Sequence, residues 1–130
     1  KHNFSMRWCC PVNQTYVEIA MWVFLNTGSV SVVAHRELAD CLLVRARERK
    51  HLQAALGTDD GIEETPTADY RFRAVVKRED WALRLGQLSM EIDYDNFKKS
   101  IKDPEFLGVA EKCWAVGANA FGAFGRKPSG

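Results

Sequence analysis

The sequence has few of the features that mark a membrane-spanning or strongly charged protein. Its longest apolar runs, such as residues 20–25, fall far short of the roughly 20 residues that a membrane span needs. Its 18 basic and 17 acidic residues leave a net charge of +1, which excludes bulk attraction to DNA or to an anionic membrane. Any electrostatic function must come from the local arrangement of charge, and we expect a cytoplasmic protein with no membrane partner.

The sequence also lacks the common signatures of metal, cofactor and nucleophilic sites. Its cysteines are Cys9, Cys10, Cys41 and Cys113, and they form neither a CxxC motif nor a Cys/His pair at zinc spacing. The late glycines follow no strand, so they make no phosphate-binding loop. We therefore expect reduced thiols, no metal and no cofactor.

What remains is an ordinary globular composition. The chain has 130 residues, of which 46% are hydrophobic and 27% charged, enough for one domain with its own core. Residues 1–20 show no clean period and are interpreted as an irregular arm. Residues 21–122 are predicted to form the domain, and residues 123–130 a flexible tail.

The most regular stretch runs from Tyr70 to Ile92. A strand is predicted over Asp69 to Lys77, and a helix follows from Glu79 or Asp80. The strand residues expected to face the core are Tyr70, Phe72, Ala74 and Val76. The helix stripe expected to cover the sheet is Trp81, Leu85, Leu88 and Ile92.

Other segments supply partners for these two elements. Residues 21–36 are predicted to form a β-hairpin that turns at Gly28. Both faces of its first strand are apolar, which predicts a central strand covered on both sides or by the amino-terminal arm. A strand over Cys41 to Arg47, a helix over Arg49 to Leu56 and a short edge strand over residues 62–65 follow. Asp93 is predicted to cap a third helix.

The last helix is predicted to begin at Asp103-Pro104, and Gly117 is placed to end or bend it. Its predicted apolar face comprises Phe106, Val109, Ala110, Cys113 and Trp114. Strands that precede a helical final third predict an α+β fold, with a mainly antiparallel sheet of four to five strands and helices packed on one face.

Four blocks carry a resemblance to other proteins: WVFLNTGSVSVVAH, DCLLVRARERKHL, ADYRFRAVVKRE and IDYDNFKKSIKD. Together, and in this order, they resemble a group of small uncharacterised bacterial and phage-type proteins over about residues 21–115. That group has no established activity, so the resemblance implies no catalytic residue. The order of elements is also similar to a ferredoxin-like or split βαβ fold, which hosts many functions.

A basic sheet face is the main candidate site. Five cations lie opposite the apolar residues of their strands: Arg45, Arg47, Arg71, Arg73 and Lys77. Trp22 or Phe24 would join them, depending on register. Arginines mixed with aromatic rings on an open sheet can hold phosphates and stack bases. The competing interpretation is a solvated face whose arginines pair with Glu37, Glu48, Glu63 or Glu64.

The sequence therefore favours a non-enzymatic binding module whose partner is nucleic acid or a protein complex that handles nucleic acid. A small mobile-element inhibitor of a host defence complex fits this size. One alternative is an enzyme with a site near His35, Asp40 and Cys41. Another is a structural homodimer whose interface includes Trp81, Trp114 and Phe121.

Overall fold

A computed structural model describes residues 20–122, which fold into a five-stranded sheet and four helices. The strands are β1 (Met21–Leu25), β2 (Gly28–Ala34), β3 (Cys41–Ala46), β4 (Glu63–Glu64) and β5 (Phe72–Lys77). The helices are α1 (Arg49–Leu56), α2 (Arg78–Met90), α3 (Phe97–Ser100) and α4 (Pro104–Phe121). Except for Ala20, the predicted arm lies outside the described residues, as does the predicted tail.

The sheet confirms the α+β prediction. Its strand order is β1-β2-β3-β5-β4, and every neighbouring pair is antiparallel. Because β5 lies between β3 and β4 and opposes both, β3 and β4 run parallel to each other and are joined through α1. This arrangement is a split βαβ unit. In a ferredoxin-like fold, a further strand follows the second helix and pairs with the edge of β3 that β5 leaves free. In this sheet β2 pairs with that edge of β3.

The main core lies between the sheet and the first two helices. Val32, Val44 and Ala74 oppose one another across β2, β3 and β5, and all three are buried. Leu52 of α1 and Trp81 of α2 pack against this apolar face. The alternation of side chains along each strand therefore places one set under the helices and the other on the opposite face.

A second, smaller core explains why β1 is apolar on both sides. Phe24 points away from the main core and packs against α4, with its ring centroid 5.9 Å from that of Phe106. Ile101 and Ala110 complete this cluster. Among residues 20–122, β1 lies at the edge of the sheet and not in its centre as predicted, and its second face is covered in part by a helix; the predicted cover by the arm lies outside the described residues.

Three helix boundaries differ from the prediction, and the first is that α2 begins at Arg78, not at Glu79 or Asp80. Asn96, not Asp93, caps α3, because its side-chain oxygen accepts a hydrogen bond from the Lys99 backbone N–H at 3.0 Å. The predicted start of α4 is confirmed, since the Asp103 carboxylate accepts from the Glu105 N–H at 3.0 Å. However, α4 continues through Gly117 and ends at Phe121.

The predicted apolar face of α4 is buried only near its start. Phe106 and Ala110 are buried, whereas Val109, Cys113 and Trp114 are exposed. The buried contacts of α4 therefore end after about two turns of the helix.

The β-hairpin turn is joined to α1 through His51. A Cβ at Gly28 would collide with the His51 ring, and the φ of 147° at Gly28 also favours glycine. The Ser29 N–H approaches His51 Nδ1 at 3.5 Å, and the ring lies edge-on to Phe106 with centroids 5.2 Å apart. Burial lowers the pKa of His51 below its ordinary value of 6.5.

This contact predicts a pH-dependent stability. In the unfolded chain His51 takes up a proton near pH 6.5, whereas the lowered pKa keeps it neutral in the folded state at that pH. Stability should therefore be greatest above pH 6.5 and fall as the pH drops through the folded-state pKa. The melting temperature of a His51→Phe variant should change less between pH 7.5 and pH 5.5 than that of the wild type, by differential scanning fluorimetry.

A His51→Phe variant with an unaltered pH dependence would contradict the account.

Candidate functional site

The face of the sheet opposite α1 and α2, termed the open face, carries one continuous cross-strand row. Trp22 opposes Ser31, Ser31 opposes Arg45, and Arg45 opposes Arg73. Neighbouring strands lie about 4.8 Å apart, so the row spans about 14 Å. We call these four residues, Trp22, Ser31, Arg45 and Arg73, the central row.

Arg45 and Arg73 stand directly opposite each other without a carboxylate between them. The four ion pairs among residues 20–122 involve other residues. Instead, Arg45 Nη2 donates to Ser31 Oγ at 2.8 Å, and Arg73 Nη2 donates to the Tyr70 carbonyl oxygen at 3.0 Å. Both guanidinium groups are thus positioned by neutral acceptors and keep their full charge.

Each of these two arginines also has an unused donor. The Nε atoms of Arg45 and Arg73 are buried, and neither has a hydrogen-bond partner among the described residues. An unsatisfied buried donor costs about 1–3 kcal/mol. Like charges directly opposite in a sheet add a further destabilising effect. An anion bound between the two side chains would reduce the repulsion between their charges.

Tyr70 contacts Arg45, Arg47 and Arg73, and the sequence did not indicate this role. It was predicted to face the core, and this was wrong: the chain bends before β5 begins at Phe72. The Tyr70 ring lies 4.6 Å from the Arg45 guanidinium carbon and 4.3 Å from that of Arg47, both measured to the ring centroid. These cation–π contacts hold the two side chains at one end of the open face.

The structure divides the five predicted cations into two groups. Arg45, Arg73 and Lys77 lie on the open face. Arg45 opposes Arg73 across β3 and β5, and Lys77 lies on the same side of β5 as Arg73. Arg47 and Arg71 flank the strands and form ion pairs, with Asp69 at 3.1 Å and with Glu64 at 2.9 Å. The competing interpretation of paired arginines therefore applies to these two residues, with the predicted partner Glu64 for Arg71 and an unpredicted one, Asp69, for Arg47.

Trp22 is the aromatic residue that joins the basic face. Its side chain is 70% exposed and lies in the same row as Arg45 and Arg73. Phe24 shares that face but packs against Phe106. One acidic residue is close, because Glu63 opposes Arg73 from β4, yet no ion pair joins the two.

The alternative enzymatic site has its groups engaged in structural roles. His35 Nδ1 accepts hydrogen bonds from the backbone N–H groups of Glu37 and Leu38, at 3.1 and 3.0 Å. Cys41 is buried, and its thiol contacts the Asp40 carboxylate at 3.6 Å. Burial and the adjacent negative charge raise the pKa of Cys41, which disfavours the nucleophilic thiolate.

One of the three residues predicted for a homodimer interface lies in the core instead. Trp81 is buried in the core beneath the sheet, so it is not an interface residue. Trp114 is 55% exposed and lies on the second half of α4, with the Lys98 ammonium 4.1 Å from its ring centroid. The structure leaves dimer formation as a prediction.

Comparison with protein-family models, curated proteins and solved structures found no match to this chain. Within residues 20–122, no helix has the length and apolar character to cross a membrane. The same part of the chain contains no group of three or more His, Cys, Asp or Glu side chains that could hold a metal ion. The central row is thus the arrangement on which a functional argument rests.

The two described cysteines should differ sharply in reactivity. Cys113 is exposed and Cys41 is buried with a raised pKa, so brief alkylation with iodoacetamide at pH 7.5 should label Cys113 and spare Cys41. Peptide mapping by mass spectrometry measures the two rates separately. Faster labelling of Cys41 than of Cys113 would revive the enzymatic alternative.

Proposed function

We propose that this protein is a non-enzymatic binding module that contacts nucleic acid through the open face of its sheet. The observation that carries the proposal is the opposed pair Arg45 and Arg73, which forms no ion pair in the described part of the chain although Glu63 opposes Arg73 from β4. Lys77 and Trp22 extend the same face on either side of the pair.

Guanidinium chemistry supports phosphate as the group that is bound. Each guanidinium presents several N–H donors in a planar fork that matches the oxygens of a phosphate. No carboxylate forms an ion pair with Arg45 or Arg73 in the described part of the chain, so an incoming oxyanion does not have to displace one.

The charge balance of the chain supports a local site. With a net charge of +1, long-range attraction is weak and affinity must come from a few contacts. A protein complex that handles nucleic acid, such as the host defence target of a mobile-element inhibitor, could offer the same chemistry through clustered carboxylates. We propose a cytoplasmic site of action, and we treat the protein partner as the competing outcome of the experiment below.

Replacing Arg45 and Arg73 together with glutamine should weaken binding to a fluorescein-labelled oligonucleotide by about tenfold or more. Hydrogen bonds to charged groups contribute about 1.5–3 kcal/mol each, and the double variant removes several of them. The slope of log affinity against log salt should fall by about 0.7 for each phosphate that the variant no longer neutralises. Fluorescence anisotropy at several salt concentrations measures both quantities.

The matched control is Lys99→Gln with Lys102→Gln, which removes the same charge from exposed positions away from the sheet. It should bind as the wild type does. Glu63→Gln should strengthen binding, since it removes the carboxylate opposite Arg73. Circular dichroism establishes that each variant is folded. Equal affinity of the arginine and lysine variants would contradict the proposal.

A further inference from the structure

We infer that the central row selects single-stranded over double-stranded nucleic acid, with a phosphate held by Arg45 and Arg73 and a base stacked on Trp22. This inference rests on the proposed function and names the form of its ligand. It depends on a second observation, which is the position and exposure of Trp22 in the same cross-strand row.

The distance within the row suits an extended strand. Trp22 is separated from Arg45 by two strand spacings, or about 10 Å, and from Arg73 by three, or about 14 Å. These distances let one chain of nucleotides place a phosphate at the arginines and a nearby base at the indole. Ser31 lies between them, and its small side chain is 1% exposed because neighbouring groups, including the Arg45 guanidinium that donates to its Oγ, cover it.

The indole is available for stacking. Trp22 is 70% exposed, whereas Trp81 is buried and the ring of Trp114 is in contact with Lys98. A base stacked on an aromatic side chain contributes affinity with little sequence preference, because every base has a flat face. In a duplex those faces are covered by neighbouring base pairs, except at the ends.

The surroundings of the row also favour a single strand. The adjacent row on the open face consists of Val33, Leu43 and Val75, and Val75 is 51% exposed. These side chains offer an apolar surface to an unstacked base or a sugar. The central row presents a flat strand surface, not a helix or a two-stranded ribbon that could enter a major groove, so the geometry suits an extended single strand better than a duplex.

The experiment compares three fluorescein-labelled probes by anisotropy: a 12-nucleotide oligothymidylate, a 12-base-pair duplex and a glutamate-rich peptide. We expect the wild type to bind the single strand at least tenfold more tightly than the other two. Trp22→Ala should weaken single-strand binding about tenfold and leave duplex binding unchanged, because it removes a stacking contact only. Trp22→Phe should retain part of the affinity.

The matched control is Trp114→Ala, which removes an exposed indole from α4 and should bind as the wild type does. If Trp22→Ala binds the single strand normally while Arg45→Gln with Arg73→Gln does not, this inference fails and the proposed function stands. If the duplex binds as tightly as the single strand, the inference also fails alone. Absence of binding to both nucleic acids, or a preference for the peptide, would overturn both.

Discussion

The register of three adjacent strands is the constraint on which the rest of the structure depends. Val32, Val44 and Ala74 are buried as one row under α1 and α2, and a slip of one residue in any strand would turn its apolar set outward. The same register forces Arg45 and Arg73 to oppose each other on the other face. Burial of the core thus overcomes the repulsion between the two charges, and the open face acquires a concentrated positive site.

The protein reduces that repulsion with neutral groups. Ser31 Oγ, the Tyr70 ring and the Tyr70 carbonyl oxygen contact the two guanidinium groups and leave their charge in place. Carboxylates are present nearby, but Asp69 and Glu64 engage Arg47 and Arg71. The outer arginines are therefore neutralised while the inner pair stays charged. Unsatisfied donors and opposed charges of this kind lower stability, and a binding site is one place where such a cost is retained.

Much of this architecture follows from the sequence. Alternation along Cys41 to Arg47 and Asp69 to Lys77 predicted both strands, although the second begins only at Phe72. Gly57 and Asp103-Pro104 correctly marked one helix end and one helix start. Alternation also placed Arg45 and Arg73 on the same side of their strands. It could not show that they are directly opposed, because register is fixed by pairing between distant segments. The bend at Tyr70 and the contact between Phe24 and Phe106 are tertiary, so local patterns assigned Tyr70 to the core and placed β1 in the centre of the sheet.

The most direct test observes the side chains of the central row themselves. In a ¹H–¹⁵N spectrum of the arginine Nε–H groups, titration with a short single-stranded oligonucleotide should shift the signals of Arg45 and Arg73. The exposed Arg36 and Arg49 should keep their signals. Such a result would show that the ligand binds beside these two guanidinium groups. Shifts at Arg36 or Arg49 with none at Arg45 and Arg73 would contradict the account.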